Sequence, residues 1–431
     1  MQCIIHKSFL TGNVSAPPSK SYMQRTLAAS LICPGKTILQ NTCSSADSIV
    51  AKNIIEKFGA SVSVLTNDSL EIISEGFPEK FENRTRNIQI HFGESGLATR
   101  MFVPIAALLD HPIDCTGDES LQKRPMDFLE KIFPSINVKI HSQTGKLPFT
   151  FQGPLIPKNI EIDCSIGSQF LTGLLMAYSA VNATGVTITV KNLNSAGYID
   201  LTLDVMKKFD MHLPVYSDFS SFYYNGKSEK KLNKKRVYTI EGDWSGGAFL
   251  MVAGAIAGNI NISGLDIQSS QPDKTVVDVL KSCGATIKFR DGTFHLSKSP
   301  LKAFHFDATG CPDLFPPLAA LASCCEGITS IKGVHRLEHK ESNRAEAIQQ
   351  ELKKMGIPIS IENDEMIITG GNTINPSIIQ THNDHRIAMM CAIVALLADG
   401  ETLIQDAEVV NKSYPNFFRD LQTLGASISI I

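Results

Sequence analysis

The chain has 431 residues, of which 43% are hydrophobic and 19% are charged, and its net charge at pH 7 is -3. This length favours about two domains of roughly 200 residues each, and the charge balance excludes bulk attraction to nucleic acid or to anionic membranes. The N-terminus lacks a signal-peptide pattern, no apolar run approaches the roughly 20 residues of a membrane span, and the ten cysteines lack zinc spacing. We therefore expect a cytoplasmic protein with reduced thiols and with no nucleic-acid or membrane partner.

The most informative feature is an internal repeat, in which a polar turn leads into an apolar helix of about twelve residues and then into a β-branched strand. The polar turns recur about every 70 to 75 residues, at positions 19–21, 94–96, 167–169, 243–245, 311–313 and 383–385. Because these helices are apolar on nearly every side, we expect them to be buried.

Each copy continues with a second, amphipathic helix that ends at a glycine or short break and leads into another strand, as in 47–65, 274–289, 344–361 and 416–430. Apolar residues recur there at helical spacing, and the glycine suits a left-handed C-cap. Six βαβαββ-like units divide naturally into three plus three. The basic stretch 227–236 marks the division and predicts a solvated surface loop, with a hinge or linker as the alternative.

Cationic residues gather near the starts of the buried helices. A helix N-terminus offers free N–H groups and partial positive charge, so it favours anions. The cations are Lys20, Arg25, Arg100, Arg124, Lys340, Arg344, Arg386 and Lys412. Each alone fits a surface or capping charge, but their recurrence at matching junctions indicates a ligand set with several negative charges.

Two carboxylates stand among these cations. Asp313 opens the fifth buried helix, and Glu341 lies between Lys340 and Arg344. Asp313 could be an N-cap and Glu341 a salt-bridge partner, or the two could act as general base and general acid. The sequence leaves open whether burial or the neighbouring cations control their pKa values. No phosphate-binding loop or dinucleotide motif opens a unit, and the His335 and His339 pair lacks the Glu of a zinc protease, so metal ligation there is not expected.

Several of these motifs together resemble the 5-enolpyruvylshikimate-3-phosphate (EPSP) synthase family, over nearly the whole chain. They are 17–21 with Arg25, 123–125, 168–172, 198–200, 340–341 with Arg344, 383–386 and Lys412. The resemblance implies an α/β (α+β) fold, a two-domain inside-out α/β barrel with three βαβαββ repeats per domain around a pseudo-three-fold axis. It implies one domain at 19–237 and a discontinuous one at 1–18 and 238–431, with the active site in the cleft between them.

The resemblance also implies the reaction. In that family the enolpyruvyl group of phosphoenolpyruvate is transferred to the 5-hydroxyl of shikimate 3-phosphate, and phosphate is released, in chorismate and aromatic amino acid biosynthesis. The family is the target of glyphosate and uses no cofactor or metal. We expect a monomer whose partners are these two small molecules.

Residue roles follow from the resemblance by position. Asp313 would accept the proton of the attacking hydroxyl, Glu341 with Lys412 would protonate the methylene carbon, and Lys20 would assist. The shikimate 3-phosphate site would comprise Lys20, Ser21, Arg25, Ser168, Gln169, Ser195, Tyr198, Asp313 and Lys340. The phosphoenolpyruvate site would comprise Lys20, Gly96, Arg124, Gln169, Arg344, Arg386 and Lys412.

The sequence departs from the usual family pattern at Glu94, Leu97, Met101 and Gly167. Gly167 and the changes around Glu94 are the only support for one alternative, a non-catalytic anion-binding paralogue, whereas Asp313, Glu341 and Arg344 oppose it. The other alternative is an enolpyruvyl transferase acting on UDP-N-acetylglucosamine, which carries a reactive Cys on the loop before the Arg matching Arg124. Loop 117–124 contains no Cys, and Cys115 lies in an expected strand at 112–116. Whether Cys164 or Cys311 is a reactive thiol stays open.

Overall fold

The computed structural model describes residues 1–79, 81, 87–226 and 234–431. Its strands are β1 Cys3–Ile5, β2 Leu10–Ser15, β3 Gly35–Gln40, β4 Ser61–Thr66, β5 Ser69–Ser74, β6 Ile88–His91, β7 Pro112–Thr116, β8 Lys139–Ser142, β9 Phe149–Gln152, β10 Ile160–Asp163, β11 Val186–Lys191, β12 Ser221–Tyr224, β13 Lys234–Thr239, β14 Gly258–Ser263, β15 Thr286–Arg290, β16 Thr293–Ser297, β17 His305–Asp307, β18 Gly327–Lys332, β19 Ile359–Glu362, β20 Glu365–Gly370, β21 Ile378–Ile379, β22 Thr402–Ile404 and β23 Ile428–Ile430. Its α-helices are α1 Lys20–Ile32, α2 Ala46–Lys57, α3 Gly96–Ala106, α4 Glu119–Gln122, α5 Phe128–Ile132, α6 Gln169–Ala180, α7 Gly197–Lys208, α8 Trp244–Ala257, α9 Val276–Ser282, α10 Phe315–Cys324, α11 Arg344–Lys354, α12 His385–Ala395 and α13 Phe417–Thr423.

The chain forms two compact units, each with its own hydrophobic core. The continuous unit is Lys20–Ile240, and the split unit combines Met1–Ser19 with Glu241–Ile431. Among the described residues, no helix has the length and apolar character needed to cross a membrane.

The six apolar helices are buried, as their composition predicts. They are α1, α3, α6, α8, α10 and α12, and their first residues lie 70 to 76 positions apart. Ser95, Asp243 and Asp384 cap three of them by accepting hydrogen bonds from backbone N–H groups of the first turn. The fifth helix starts later than predicted, at Phe315, because Pro312–Leu314 forms a 3-10 turn ahead of it.

Six sheets carry the strands of the described residues, and each contains one parallel pair extended by antiparallel partners. The continuous unit holds the orders β13-β3-β5-β4, β6-β7-β9-β8 and β10-β11-β12. The split unit holds β15-β16-β14-β2, β17-β18-β20-β19 and β21-β22-β1-β23. The amino-terminal strands β1 and β2 therefore complete two sheets of the split unit.

The basic stretch 227–236 is only partly described. Residues 227–233 lie outside the described residues, so the predicted loop cannot be assigned there. The prediction is wrong for Lys234–Arg236, which belong to β13 and pair in parallel with the start of β3. This pairing joins segments about 200 residues apart, which a local charge pattern does not reveal.

The amphipathic second helices α2, α9, α11 and α13 end at the predicted glycines. Gly59, Gly284, Gly356 and Gly425 all have φ between +81° and +95°, the left-handed region that favours glycine. The second repeat departs from the prediction of one helix, since α4 and α5 are short and separate. Pro125 lies between them, and a proline lacks the N–H donor and disfavours helix in the residue before it.

Candidate active site

The split unit places Asp313 at the centre of a cation cluster. Its Oδ1 atom lies 3.3 Å from Lys340 Nζ and 3.1 Å from Arg344 Nη1, and its Oδ2 atom lies 3.0 Å from Arg386 Nη2. Arg386 also donates to the Asp313 backbone carbonyl at 3.4 Å. One carboxylate thus faces three cations from two segments of the chain, residues 340–344 and the start of α12.

This geometry argues against the helix-capping interpretation of Asp313. The carboxylate caps no helix, because Cys311 is the residue preceding the 3-10 turn and no side-chain cap bond is made there. Burial opposes ionisation of Asp313, but Arg386, Lys340 and Arg344 outweigh it and hold its pKa well below the usual range. The charge of this carboxylate is therefore matched to the cations around it rather than to a helix end.

Arg344, the first residue of α11, is held by three carboxylates. It contacts Asp313 and Glu341, and its Nε and Nη2 atoms lie 2.8 Å and 3.2 Å from the two oxygens of Asp384. Its side chain is only 1% exposed, so its orientation is fixed by these bonds. The carboxylates raise its pKa despite the opposing effect of burial, so it stays charged.

Asp384 organises the start of α12. Besides holding Arg344, it accepts hydrogen bonds from the Arg386 backbone N–H at 2.9 Å and from Ser342 Oγ at 3.1 Å. Just before it, the Asn383 carbonyl accepts a bond of 2.6 Å from Lys412 Nζ. The segment 383–386 thereby fixes three predicted site cations.

In the continuous unit, Lys20 opens α1 and pairs with Asp47 at 2.9 Å. Arg25 lies one turn after Ser21, is almost fully buried, and donates to the carbonyl of Ser21, the hydroxyl of Thr202 and the carbonyl of Tyr198. Its guanidinium carbon lies 6.0 Å from the centre of the Tyr198 ring. Burial lowers the pKa of Arg25 to about 10, which leaves it charged at neutral pH.

The start of α3 is lined by two arginines. A Cβ atom built on Gly96 would lie 2.7 Å from Arg124 Nη1 and 3.3 Å from Arg100 Nη1. Arg100 also donates to Gln169 Oε1 at 3.0 Å, which links this helix start to that of α6. Ser168 immediately precedes α6, and Ser195 lies two residues before α7. Both side chains are buried, and Ser195 has a positive φ of 65°.

The structure groups the predicted residues within each unit and adds partners that the sequence reasoning missed. Asp313, Lys340, Glu341, Arg344 and Arg386 are linked in the split unit. The missed contacts are those of Arg344 with Asp384, Lys20 with Asp47, Arg25 with Thr202 and Gln169 with Arg100. Asp384 was detectable, because an Asp immediately before an apolar helix indicates an N-cap; the other three contacts carry no local signal.

The cysteines near these segments are buried thiols. Burial raises the pKa of Cys164 and of Cys311 to about 12, so neither is a thiolate at neutral pH. Cys115 lies in β7, as predicted, and is buried with a raised pKa. Within the described ranges, no group of three or more His, Cys, Asp or Glu residues could hold a metal ion.

The fold and these clusters define an α/β protein with fixed cationic groups of the kind that bind anions. Clusters of fixed, buried guanidinium groups suit bidentate binding of carboxylate and phosphate. A carboxylate held against lysine and arginine can exchange a proton with a bound hydroxyl.

Comparison with known proteins assigns the family. The family model described as EPSP synthase (3-phosphoshikimate 1-carboxyvinyltransferase) matches residues 5–421. The chain is 34% identical over 430 residues to the 3-phosphoshikimate 1-carboxyvinyltransferase of Clostridioides difficile (strain 630), covering 98% of this chain and 97% of that protein. The enzyme of the same name from Clostridium novyi (strain NT) is 32% identical over 429 residues, with the same coverage. The chain belongs to the EPSP synthase family.

Solved structures agree with this assignment. EPSP synthase from Acinetobacter baumannii matches with a TM-score of 0.80 at 25% identity, covering 99% of both chains. The enolpyruvyl transferase NikO from Streptomyces tendae shares the fold, with a TM-score of 0.78 at 16% identity, covering 99% of this chain and 98% of that one. The expected α/β fold class, the inside-out barrel of six repeats, is thus confirmed.

Proposed function

We propose that this protein transfers the enolpyruvyl group of phosphoenolpyruvate to the 5-hydroxyl of shikimate 3-phosphate and releases phosphate. The observation that carries the proposal is Asp313 held between Lys340, Arg344 and Arg386 in a chain of the EPSP synthase family. The two substrates together bring two carboxylates and two phosphoryl groups, the kinds of anion that guanidinium and ammonium groups bind.

The phosphoenolpyruvate site is assigned to the guanidinium and ammonium groups at the helix starts. Arg344 and Arg386 are fixed by Asp384 and Asp313, and Lys412 is fixed by the Asn383 carbonyl. The assignment also includes Lys20, Arg124, Gly96 and Gln169. Preset cations stabilise charge that develops on the departing phosphate, because they need little reorganisation during the reaction.

The shikimate 3-phosphate site is assigned to residues of α1, α6 and α7 and to Asp313 and Lys340. Arg25 is held by Thr202 and the carbonyls of Ser21 and Tyr198, so its charge is directed by the fold rather than by the ligand. Ser168 and Ser195 offer hydroxyl groups for a phosphate, and Tyr198 offers a ring surface for the carbocycle.

The proton transfers are assigned to Asp313 and Glu341. With its three cations in place, Asp313 is a weak base because its pKa is low. Substrate anions that engage Lys340, Arg344 and Arg386 would offset part of their charge, raise the pKa of Asp313, and let it accept the proton of the 5-hydroxyl. Glu341, bonded to Arg344, would deliver a proton to the methylene carbon as the 5-hydroxyl oxygen adds to the neighbouring carbon, assisted by Lys412 and Lys20. Loss of a proton from the resulting methyl group, with departure of phosphate from the tetrahedral adduct, then restores the enolpyruvyl double bond.

We further propose that the enzyme works as a cytoplasmic monomer on these small molecules alone. All groups assigned to the two substrates come from one chain, so a second copy is not needed for the chemistry. Light scattering during size-exclusion chromatography, with both substrates present, should give the mass of one chain. The mass of two chains would contradict the proposed monomer.

The decisive experiment is phosphate release from phosphoenolpyruvate, with and without shikimate 3-phosphate. Release should require both substrates in the wild type and should fall by at least about 100-fold in Asp313→Ala, the range for loss of general acid–base catalysis. Asp278→Ala, which removes an exposed carboxylate of α9, is the control. No release from folded wild type would contradict the proposed reaction. Release with UDP-N-acetylglucosamine instead would favour that transferase.

A further inference from the structure

A second carboxylate of α11, Glu351, is buried and has no role in the reaction as assigned above. Its side chain is 0% exposed, and it lies two turns beyond Arg344 on the same buried face of the helix. Both Glu351 oxygens lie 2.8 Å from Lys354 Nζ. A fully buried carboxylate is costly unless it is well bonded, so its remaining contacts indicate what it is for.

Among the described residues, the other hydrogen bonds of the Glu351 carboxylate go to one segment, residues 380–382. Glu351 Oε2 accepts a bond of 3.2 Å from the Gln380 backbone N–H, and Oε1 lies 2.7 Å from His382 Nε2. This segment leads directly into Asn383 and Asp384, which hold Lys412 and Arg344. Helix α11 therefore fixes both ends of 380–384, through Glu351 at one end and Arg344 at the other.

The backbone of this segment has a conformation that non-glycine residues rarely adopt. His382 and Asn383 are consecutive non-glycine residues in the left-handed region, with φ of 52° and 55°. Such a conformation persists only where surrounding contacts impose it, and it is concentrated at functional sites. The Asp384 N–H donates to Thr381 at 2.8 Å and closes the turn, while Glu351 holds it from outside.

We propose that Glu351, acting through Gln380 and His382, is a positioning residue that sets the Asn383 carbonyl and the Asp384 carboxylate, and hence the grip of Lys412, Arg344 and Arg386 on phosphoenolpyruvate. This inference rests on the proposed function of those cations. Side chains that act on substrate need such support, because small misplacements lower their effect steeply.

A purely stabilising role for Glu351 predicts a different outcome. It would lower the resistance to unfolding and leave the two Michaelis constants in the same ratio. The positioning role predicts a selective rise in KM for phosphoenolpyruvate, because shikimate 3-phosphate is assigned mainly to the other unit.

The test compares His382→Phe, His382→Gln and Glu351→Gln with the wild type, by steady-state kinetics with each substrate varied in turn. His382 is 28% exposed in its side chain, so its replacement should leave the protein folded. We expect His382→Phe to raise KM for phosphoenolpyruvate roughly tenfold, less than the factor on the order of 100 for a shift of about 1 Å. KM for shikimate 3-phosphate should not change. His382→Gln keeps an N–H donor and should recover much of the loss.

Two further measurements complete the design. The double variant His382→Phe with Glu351→Gln should raise KM for phosphoenolpyruvate no further than the more impaired single variant does, because both changes act on the contact between Glu351 and His382. Leu296→Ala, a core change on β16, should lower the unfolding midpoint without altering either KM. If the wild type is active and His382→Phe has an unchanged KM for phosphoenolpyruvate, this inference is overturned while the proposed function stands. Wild type that releases no phosphate would overturn the proposed function and this inference with it.

Discussion

Replacing Gly96 with alanine should weaken phosphoenolpyruvate binding with little effect on stability. The Cβ atom of Gly96→Ala would lie 2.7 Å from Arg124 Nη1, and the end of a flexible side chain can move away. We expect KM for phosphoenolpyruvate to rise roughly tenfold, because a small displacement of the Arg124 guanidinium weakens its contact with the substrate steeply. Stability should change by less than about 1 kcal/mol, since alanine is favoured over glycine in helices. Kinetics and thermal unfolding together check this, and an unchanged KM would place Arg124 outside the phosphoenolpyruvate site.

Asp273 should make stability depend on pH. Its side chain is almost fully buried and accepts a hydrogen bond from Ser245. Burial is the larger cause and the negative charge of Asp313 the smaller cause that raise the pKa of Asp273 from 3.8 to about 7. The folded protein therefore binds a proton that the unfolded chain has already lost. The stability contributed by this group is full below pH 3.8 and is lost as the pH rises through about 7.

Asp273→Asn, which mimics the protonated form, should remove this dependence. We expect the variant to exceed the wild type in stability by an amount that grows from about pH 4 to pH 7 and then levels off, at on the order of 2 to 4 kcal/mol. Urea unfolding across this pH range measures the difference. A difference that shrank with rising pH would show that Asp273 is ionised in the folded protein.

At the scale of the element, the glycines that end the amphipathic helices offer a matched pair. Gly284 and Gly356 have φ of +87° and +81°, but the nearest atom to an added Cβ is Pro300 O at 3.7 Å for Gly284 and Asn375 Nδ2 at 2.5 Å for Gly356. Gly284→Ala should cost only the left-handed strain, about 1 to 2 kcal/mol. Gly356→Ala should cost more, because Asn375 must also move. Urea midpoints of the two variants test this, and equal losses would mean that Asn375 yields freely.

Much of the fold was predictable because helix signals are local. The change from polar turn to apolar run identified all six buried helices, and the glycine after 274–283 and 344–355 marked two of the C-caps. The 3-10 turn before α10 was missed, since Pro312 and the prolines at 316–317 favour a helical first turn without fixing its type. The interruption of the second repeat was visible only as Pro125.

The site was predictable in its composition but not in its pairing. The sequence identified Asp313, Arg344 and Arg386 as charged groups, yet the partner of each depends on contacts between segments 31 to 73 residues apart. Lys20 with Asp47 is a similar case. Such contacts follow from how sheets and helices assemble, so they leave no periodic signal in the sequence. The resemblance supplied residue roles, and the roles stay predictions.

At the scale of the whole molecule, the amino-terminal segment is part of the split unit. Strand β1 lies between β22 and β23, pairing antiparallel with both, and β2 pairs in parallel with β14. Without residues 1–19, β23 would lose its hydrogen-bonded neighbour β1, and the sheet that contains β14 would lose its edge strand β2. The continuous unit, by contrast, completes its first sheet with its own β13.

Residues 20–240 should therefore fold when expressed alone, whereas 241–431 should not. The register suggests a repair, because Gln2 and Ile431 exchange two backbone hydrogen bonds of 2.9 Å. Such a pair can be closed by a two-residue Asn-Gly hairpin turn. A polypeptide running from 241 to 431, through Asn-Gly, and on from 2 to 19 should show cooperative thermal unfolding by circular dichroism. The same polypeptide without 2–19 should not, because the missing segment supplies the central strand of one sheet. Cooperative unfolding of 241–431 alone would show that β1 and β2 are dispensable to the core they join.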